Sequence, residues 1–228
     1  MDSTRSLLLL PADDPQPVLD LPLAPDATLL DLMHTDPGGY ESAAASVNAL
    51  IAAQQRLYLH THGPQAPDLR EQLLATLKPG VYGVSVPGVV HVDQLRFVDS
   101  LLEDVERRAG IEPGLTAMGL WIESAAALGA AGELARTSSR LTFLGVATAA
   151  LAMELGLDDP SPAVLDHARA RIVFAAQASG HPAVEGLPLP GAGPDDVHLR
   201  SVGLRGRMTR HPDEASALNS AFPAGAAE

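Results

Sequence analysis

Two histidines, His60 and His62, stand two apart in the run Arg56-Leu57-Tyr58-Leu59-His60-Thr61-His62. On an extended strand, residues i and i+2 share a face, so both imidazoles point the same way. Imidazole changes charge near neutral pH, which suits the pair to general acid or base work. The plainer role is hydrogen-bonded packing. Glu123 follows the apolar run Ala117–Ile122. A carboxyl desolvated by such neighbours has a raised pKa and can donate a proton; its plainer role is a carboxylate held by backbone N–H groups. Trp121, two before Glu123, shares its face on a regular strand and reads first as core, second as a substrate wall. Arg5, just ahead of an apolar run, suits either an anionic ligand or a structural ion pair. There is no cysteine, which removes disulfides, thiol nucleophiles and Cys-ligated zinc together. No phosphate-binding glycine loop and no G-x-S-x-G elbow is present.

These residues need elements to hold them. Short apolar runs at Ser6–Leu10, Thr28–Met33, Arg56–Thr61, Gly83–Val86, Ala117–Ile122 and Leu141–Val146, with a less apolar one at Gly206–Thr209, read as strands covered on both faces. Between them, Glu41–Gln54, Pro67–Leu77, Asp93–Ala109, Ala125–Arg136 and Pro162–Ser179 carry helical spacing, with Asp93 as the expected N-cap of the third. Strand and helix alternating at this interval imply right-handed βαβ units, and six or more of them favour a (β/α) barrel over an open sheet. Pro11–Ala27, Leu187–Asp195 and Ala221–Glu228 read as loose segments, the last as a small-residue tail.

Composition narrows the function. The 228 residues, 46% of them hydrophobic, suffice for one large core, so a single domain over 1–228 is expected. Fifteen basic against 28 acidic side chains give a net charge of −13. That balance argues against nucleic acid and anionic membrane as partners, since both attract basic surfaces. The longest apolar run, Leu141–Met153, is too short to span a bilayer, and no targeting segment is visible. A cytoplasmic protein acting on a small molecule is the expectation.

Five segments, in order, carry a resemblance. RSLLLLPADDP at 5–15 is similar to RS-L-FVPG-x-P, and TLLDLMHT at 28–35 to a strand ending LDLEDAV. WIESAAALGAAGEL at 121–134 is similar to IET-A-GL-NA-E. LDHARARIVFAAQASGHPAVEG at 165–186 is similar to YARSRIVLAARAAGLPAIDG. GLRGRMTRHPDEASALNSAF at 203–222 is similar to G-x-GK-x-x-IHP-x-QV-x-x-N-x-AF. Together the chain resembles the citrate lyase beta-subunit-like, or HpcH/HpaI aldolase, family. The resemblance implies a TIM-type (β/α)8 barrel, here with truncated or missing helices. It also implies cleavage or formation of carbon–carbon bonds in acids or acyl thioesters, with Mg²⁺ holding the substrate at the C-terminal mouth of the barrel.

The resemblance breaks where that chemistry sits. Glu123 matches the family's metal-binding glutamate, but the partner aspartate position is Ala150. The substrate-binding arginine of VRVN is His60 and its asparagine is His62. The acidic pair of LDLEDAV is Met33 and His34, and the lysine of LPKVE is Gly88. One carboxylate facing an alanine is a poor Mg²⁺ site, and histidine does not reproduce a bidentate arginine clamp. No Mg²⁺ and no other cofactor is therefore expected.

Placed on the family barrel, Glu123 faces His34, His60 and His62 across the mouth. The reading is a remodelled lyase using these four as its acid/base set, with Arg5, Met33, Trp121 and Ala150 as substrate contacts. Met33 and Ala150 replace charge by apolar surface, which suits a larger, less charged ligand. Two alternatives stand: a non-catalytic barrel with a binding or regulatory role, and a transition-metal site built from Glu123, His34, His60 and His62 for Zn²⁺, Fe²⁺ or Mn²⁺. The chain stops soon after Phe222, where the family continues into a helix exchanged between subunits, so any homo-oligomer is expected to lack that exchange.

Overall fold

Residues of each apolar run alternate between two cores. Leu7 and Leu9, Ala27 and Leu29, Tyr58, Trp121, Phe143, Val184 and Met208 pack together in one cluster. Their neighbours Leu8, Leu10, Leu30, Leu32, Leu57, Leu59, Val84, Val86, Leu120, Leu144 and Val146 belong to a second, larger cluster that includes the helices. Such two-sided burial with period two is what strands of a filled barrel require.

The computed structural model of the chain describes residues 4–14, 24–189 and 195–222. Among these, eight parallel strands close in sequence order into a barrel: β1 Ser6–Pro11, β2 Ala27–Asp31, β3 Leu57–His60, β4 Gly83–Val86, β5 Ala117–Ile122, β6 Leu141–Val146, β7 Ala183–Glu185 and β8 Arg207–Thr209. Around them lie α1 Tyr40–Ala52, α2 Leu69–Thr76, α3 Val92–Ala109, α4 Ala125–Leu134, α5 Thr148–Glu154, α6 Pro162–Gln177, α7 Asp196–Val202 and α8 Ala215–Ala221. The (β/α)8 barrel expected from sequence is the fold, and α5, α7 and α8 are cut to seven residues each. Among the described residues no helix is long and apolar enough to cross a membrane.

Several local expectations are corrected. α3 is capped by His91, whose side chain accepts from the Asp93 N–H while Gln94 closes the box; Asp93 lies in the first turn. Ala221 ends α8 and Phe222 is buried, so neither belongs to a tail. Residues 15–23, 190–194 and 223–228 of the segments read as loose lie outside the described residues.

Rings fill the barrel because glycines make room. A Cβ at Gly145 would lie 2.1 Å from Trp121 Cε3, and one at Gly119 would lie 2.0 Å from Phe143 Cζ. The Trp121 and Phe143 rings meet edge-on at 5.5 Å, and Tyr58 meets Phe143 at 5.7 Å. At the N-terminal end of the barrel, Arg140 makes two hydrogen bonds to the fully buried Glu106, of 2.7 and 2.9 Å. This pair joins β6 to α3.

Candidate active site

Strand register sets the centre of the mouth. Asp31 pairs with His60 and His60 with Ser85, so three neighbouring strands bring these side chains to one level. Alternation from Leu29 and Tyr58, which lie in the inner cluster, places Asp31 and His60 in the inward-facing set. His60 is 8% exposed. Its Nδ1 lies 3.1 Å from Ser85 Oγ, and Trp121 Nε1–H donates to the same oxygen at 2.6 Å. The imidazole also meets the indole edge-on at 6.5 Å. Burial pushes His60 down, to about 4; the Asp31 carboxylate and the Ser85 backbone pull it upward, while Arg210 and His34 push it further down. The imidazole is neutral at neutral pH.

Asp31 ends β2 by accepting the Met33 N–H on Oδ1 at 3.2 Å, a local turn that short acidic side chains favour. Arg210, one residue beyond β8, approaches Asp31 Oδ2 at 3.5 Å and is 54% exposed. Met33 is half-buried and His34 exposed on the loop that follows β2.

Glu123 stands one residue past β5. Gly88 N–H, on the loop after β4, donates to its Oε2 at 2.9 Å. Gly88 has φ +69°, in the left-handed region. Burial pushes the Glu123 carboxyl up, and the Gly88 N–H offsets part of that rise. Ala150 lies in α5, which begins just past β6. The start of that helix is tied to β7 by Thr148 Oγ1–H donating to the buried Glu185 at 2.6 Å, and Arg169 donates to Glu185 at 2.7 Å.

The structure therefore brings together His60, Asp31 and Arg210, with His34 on the loop after β2 acting on His60 through charge alone, and separates other members of the expected set. β3 stops at His60, so the i, i+2 rule does not carry to His62. The His62 ring turns to Asp68, 2.9 Å away, and its backbone N–H is held by Gln72 Oε1. Glu123 hydrogen-bonds to Gly88 and to none of the three imidazoles. Among the described residues no three His, Asp or Glu side chains are grouped as a metal would require; the four-residue ligand set does not converge. For Mg²⁺, the two residues matched by the resemblance offer little between them: Glu123 has Oε2 on the Gly88 N–H, and the Ala150 side chain carries no ligand atom.

Of the expected substrate contacts, Trp121 is buried inside the barrel, part of the inner core. Arg5 is at the opposite end. It precedes β1 and donates through Nε and Nη2 to Asp26 at 2.8 Å each, and through Nη1 to the Asn219 carbonyl. Its role there is to fasten β1 to the approach of β2. Two mouth residues, Asp31 and Ser85, were not singled out from sequence, and Arg210, beside His211-Pro212, reads there only as part of a structural turn. The signal available for Asp31 was its even spacing from Leu29 along an inward-facing row.

A family model described as HpcH/HpaI aldolase/citrate lyase matches residues 5–198. No curated protein sequence matches the chain. Among solved structures, RipC from Yersinia pestis is similar at 22% identity and TM-score 0.74, over 98% of this chain and 96% of that one. The citrate lyase beta subunit from M. tuberculosis, complexed with oxaloacetate and magnesium, is similar at 20% identity and TM-score 0.72, over 96% and 97%. Haloferax volcanii malate synthase in its magnesium/glyoxylate complex is similar at 20% identity and TM-score 0.82, over 100% and 78%. At these identities the structures share the fold. With the family model spanning most of the sequence, the chain belongs to the HpcH/HpaI aldolase/citrate lyase family.

Proposed function

We propose that this barrel is a divergent lyase that makes or breaks a carbon–carbon bond in a small oxo acid, using acid/base chemistry in place of the family's Mg²⁺. The observation that carries the reading is Glu123: a carboxyl at the C-terminal end of a barrel strand, pushed up by burial, with a single N–H partner among the described residues. A raised carboxyl is available in both protonation states closer to neutral pH, as proton transfer requires. In a retro-aldol cleavage it takes the proton of the β-hydroxyl. The electron pair of the breaking bond moves into the carbonyl as an enolate, and the proton returns to the enolate carbon. The carboxyl ends as it began.

The substrate class follows from the relatives and from Arg210. The similar citrate lyase subunit is complexed with oxaloacetate and the similar malate synthase with glyoxylate, both small oxo acids. Arg210 offers a half-exposed guanidinium at the mouth, loosely held by Asp31, and a guanidinium matches a carboxylate in charge and shape. It replaces, from β8, the cation that the family resemblance puts on β3.

The test is turnover of small β-hydroxy oxo acids by the purified protein, read as release of the carbonyl fragment. Glu123→Gln is expected to lose about 10²- to 10⁴-fold of the rate while remaining folded. Full turnover by that variant removes the proposal. One observation favours a second reading, a non-catalytic binding barrel: two of the expected acid/base residues are committed, His62 to Asp68 and His60 to Ser85. Binding of oxo acids without turnover of any supports that reading instead.

A further inference from the structure

Hydrogen-bond bookkeeping at Ser85 fixes where the proton of His60 sits. Trp121 Nε1 has only a proton to give, so Ser85 Oγ is the acceptor in that 2.6 Å contact. The hydroxyl keeps its own proton, and Ser85 is fully buried. Among the described residues its oxygen has one other partner, His60 Nδ1 at 3.1 Å. If Nδ1 carried a hydrogen, two protons would meet and a buried hydroxyl donor would be left unsatisfied, at a cost of roughly 1–3 kcal/mol. The satisfied arrangement runs one way: indole N–H to hydroxyl oxygen, hydroxyl proton to Nδ1. His60 is then the tautomer with its hydrogen on Nε2, and Nε2 has no protein partner among the described residues.

We propose that His60 is locked as a neutral Nε2–H imidazole that donates a hydrogen bond to the carbonyl, or developing enolate, oxygen of the substrate, and that Ser85 and Trp121 are the positioning residues that lock it. This assigns His60 the electrophilic role and leaves proton transfer to carbon with Glu123. The substrate part rests on the lyase reading above; the tautomer does not. A neutral donor stabilises charge that develops on oxygen without first presenting a cation to the ground state. The charged and titratable groups around the ring, Asp31, Arg210 and His34, act on it from neighbouring elements, and the Ser85 backbone favours the charged ring. Among the described residues the only side chain hydrogen-bonded to Nδ1 is that of Ser85, so the tautomer is set at Ser85.

The experiment is a long-range ¹H–¹⁵N correlation spectrum of the ¹⁵N-labelled full chain at pH 7, which distinguishes the two neutral tautomers and the imidazolium. His60→Asn identifies the His60 signals by their loss. The expected result is a single Nε2–H pattern for His60. An Nδ1–H pattern, or an imidazolium, overturns the proposal. Ser85→Ala is expected to lose the single pattern to a mixture; an unchanged pattern in that variant removes the positioning role. If Ser85→Ala does not fold, Ser85→Cys, with its weaker donor, is read in the same way. The spectrum needs no substrate, so a chain with the Nε2–H form but no turnover separates failure of the lyase reading from failure of this one.

Discussion

The Glu123 carboxylate closes on the Gly88 backbone across the rim between β5 and β4, with N–H to Oε2 at 2.9 Å. That contact stabilises the carboxylate, but burial outweighs it and the folded pKa is raised above the ordinary value. The sign for stability follows. A group whose pKa is raised on folding contributes most below its unfolded pKa, and the contribution is lost as pH climbs through the folded value. Glu123→Gln keeps an acceptor for Gly88 and never ionises. Urea denaturation from about pH 4 upward should therefore show the variant gaining on the parent as pH rises. Parallel pH profiles would contradict the burial argument.

Arg210 has little to do with holding the fold. Among the described residues its only ion pair is at 3.5 Å with more than half the side chain in solvent, and such pairs contribute about 0–1 kcal/mol. Arg210→Ala should leave stability within about 0.5 kcal/mol while raising KM for oxo acids with kcat little changed, as loss of uniform binding does. Arg210→Lys should restore only part of the affinity, because an ammonium lacks the planar fork. A large drop in the denaturation midpoint of Arg210→Ala would show that the residue is structural.

Much of the fold is legible in the sequence because strands of a filled barrel are apolar on both faces. Six strands stand out as runs for that reason. β7 does not: Ala183–Glu185 is three residues between Pro182 and Gly186, too short for a pattern. α5 is hidden because Leu141–Met153 reads as one apolar run, broken only by Thr142 and Thr148, that holds both β6 and the helix after it. The site is less legible. Glu123 and His60 follow from position on their strands. The row Asp31–His60–Ser85 depends on register between strands far apart in sequence, which no local spacing records. His62 is misplaced by spacing alone, because β3 ends two residues earlier and Asp68 on the following segment takes the ring.

Gly145 is a packing requirement. A Cβ there would lie 2.1 Å from the Trp121 ring, and the ring is locked between Phe143 and the Ser85 contact. Gly145→Ala should cost about 1–3 kcal/mol, the usual range for overfilling a packed core. It should also change the emission of Trp121, the chain's single tryptophan. Chemical denaturation followed by fluorescence reads both. An unperturbed midpoint would show that the indole can move aside.

The donor set at Glu123 and Ala150 leads to a direct metal test. Binding to the native state raises the melting temperature in proportion to ln(1 + [L]/Kd). Mg²⁺ up to about 10 mM, a concentration that would saturate a millimolar site, should leave the melting curve of the metal-free protein where it is. A rise of several degrees would mean that oxygen ligands other than Glu123 complete a site.

Acid stability should be set at the other end of the barrel. Glu106 is fully buried under Arg140. Burial alone would raise its carboxyl, but the guanidinium together with the N–H groups of Gly114 and Thr116 wins and holds it down to about 2. A depressed pKa contributes stability that is present above the unfolded value, near 4.5, and is lost as pH falls toward 2. Glu106→Gln strands the Arg140 charge with only the flanking Asp99 and the Thr116 carbonyl, so it should cost about 3–5 kcal/mol at neutral pH, as breaking a buried pair does. The same variant should lose part of the acid-induced destabilisation, because the group that protonates is gone. Midpoints measured at neutral pH and near pH 3 separate the two effects: the gap between parent and variant must narrow on acidification. A constant gap would mean that Glu106 acts through packing alone.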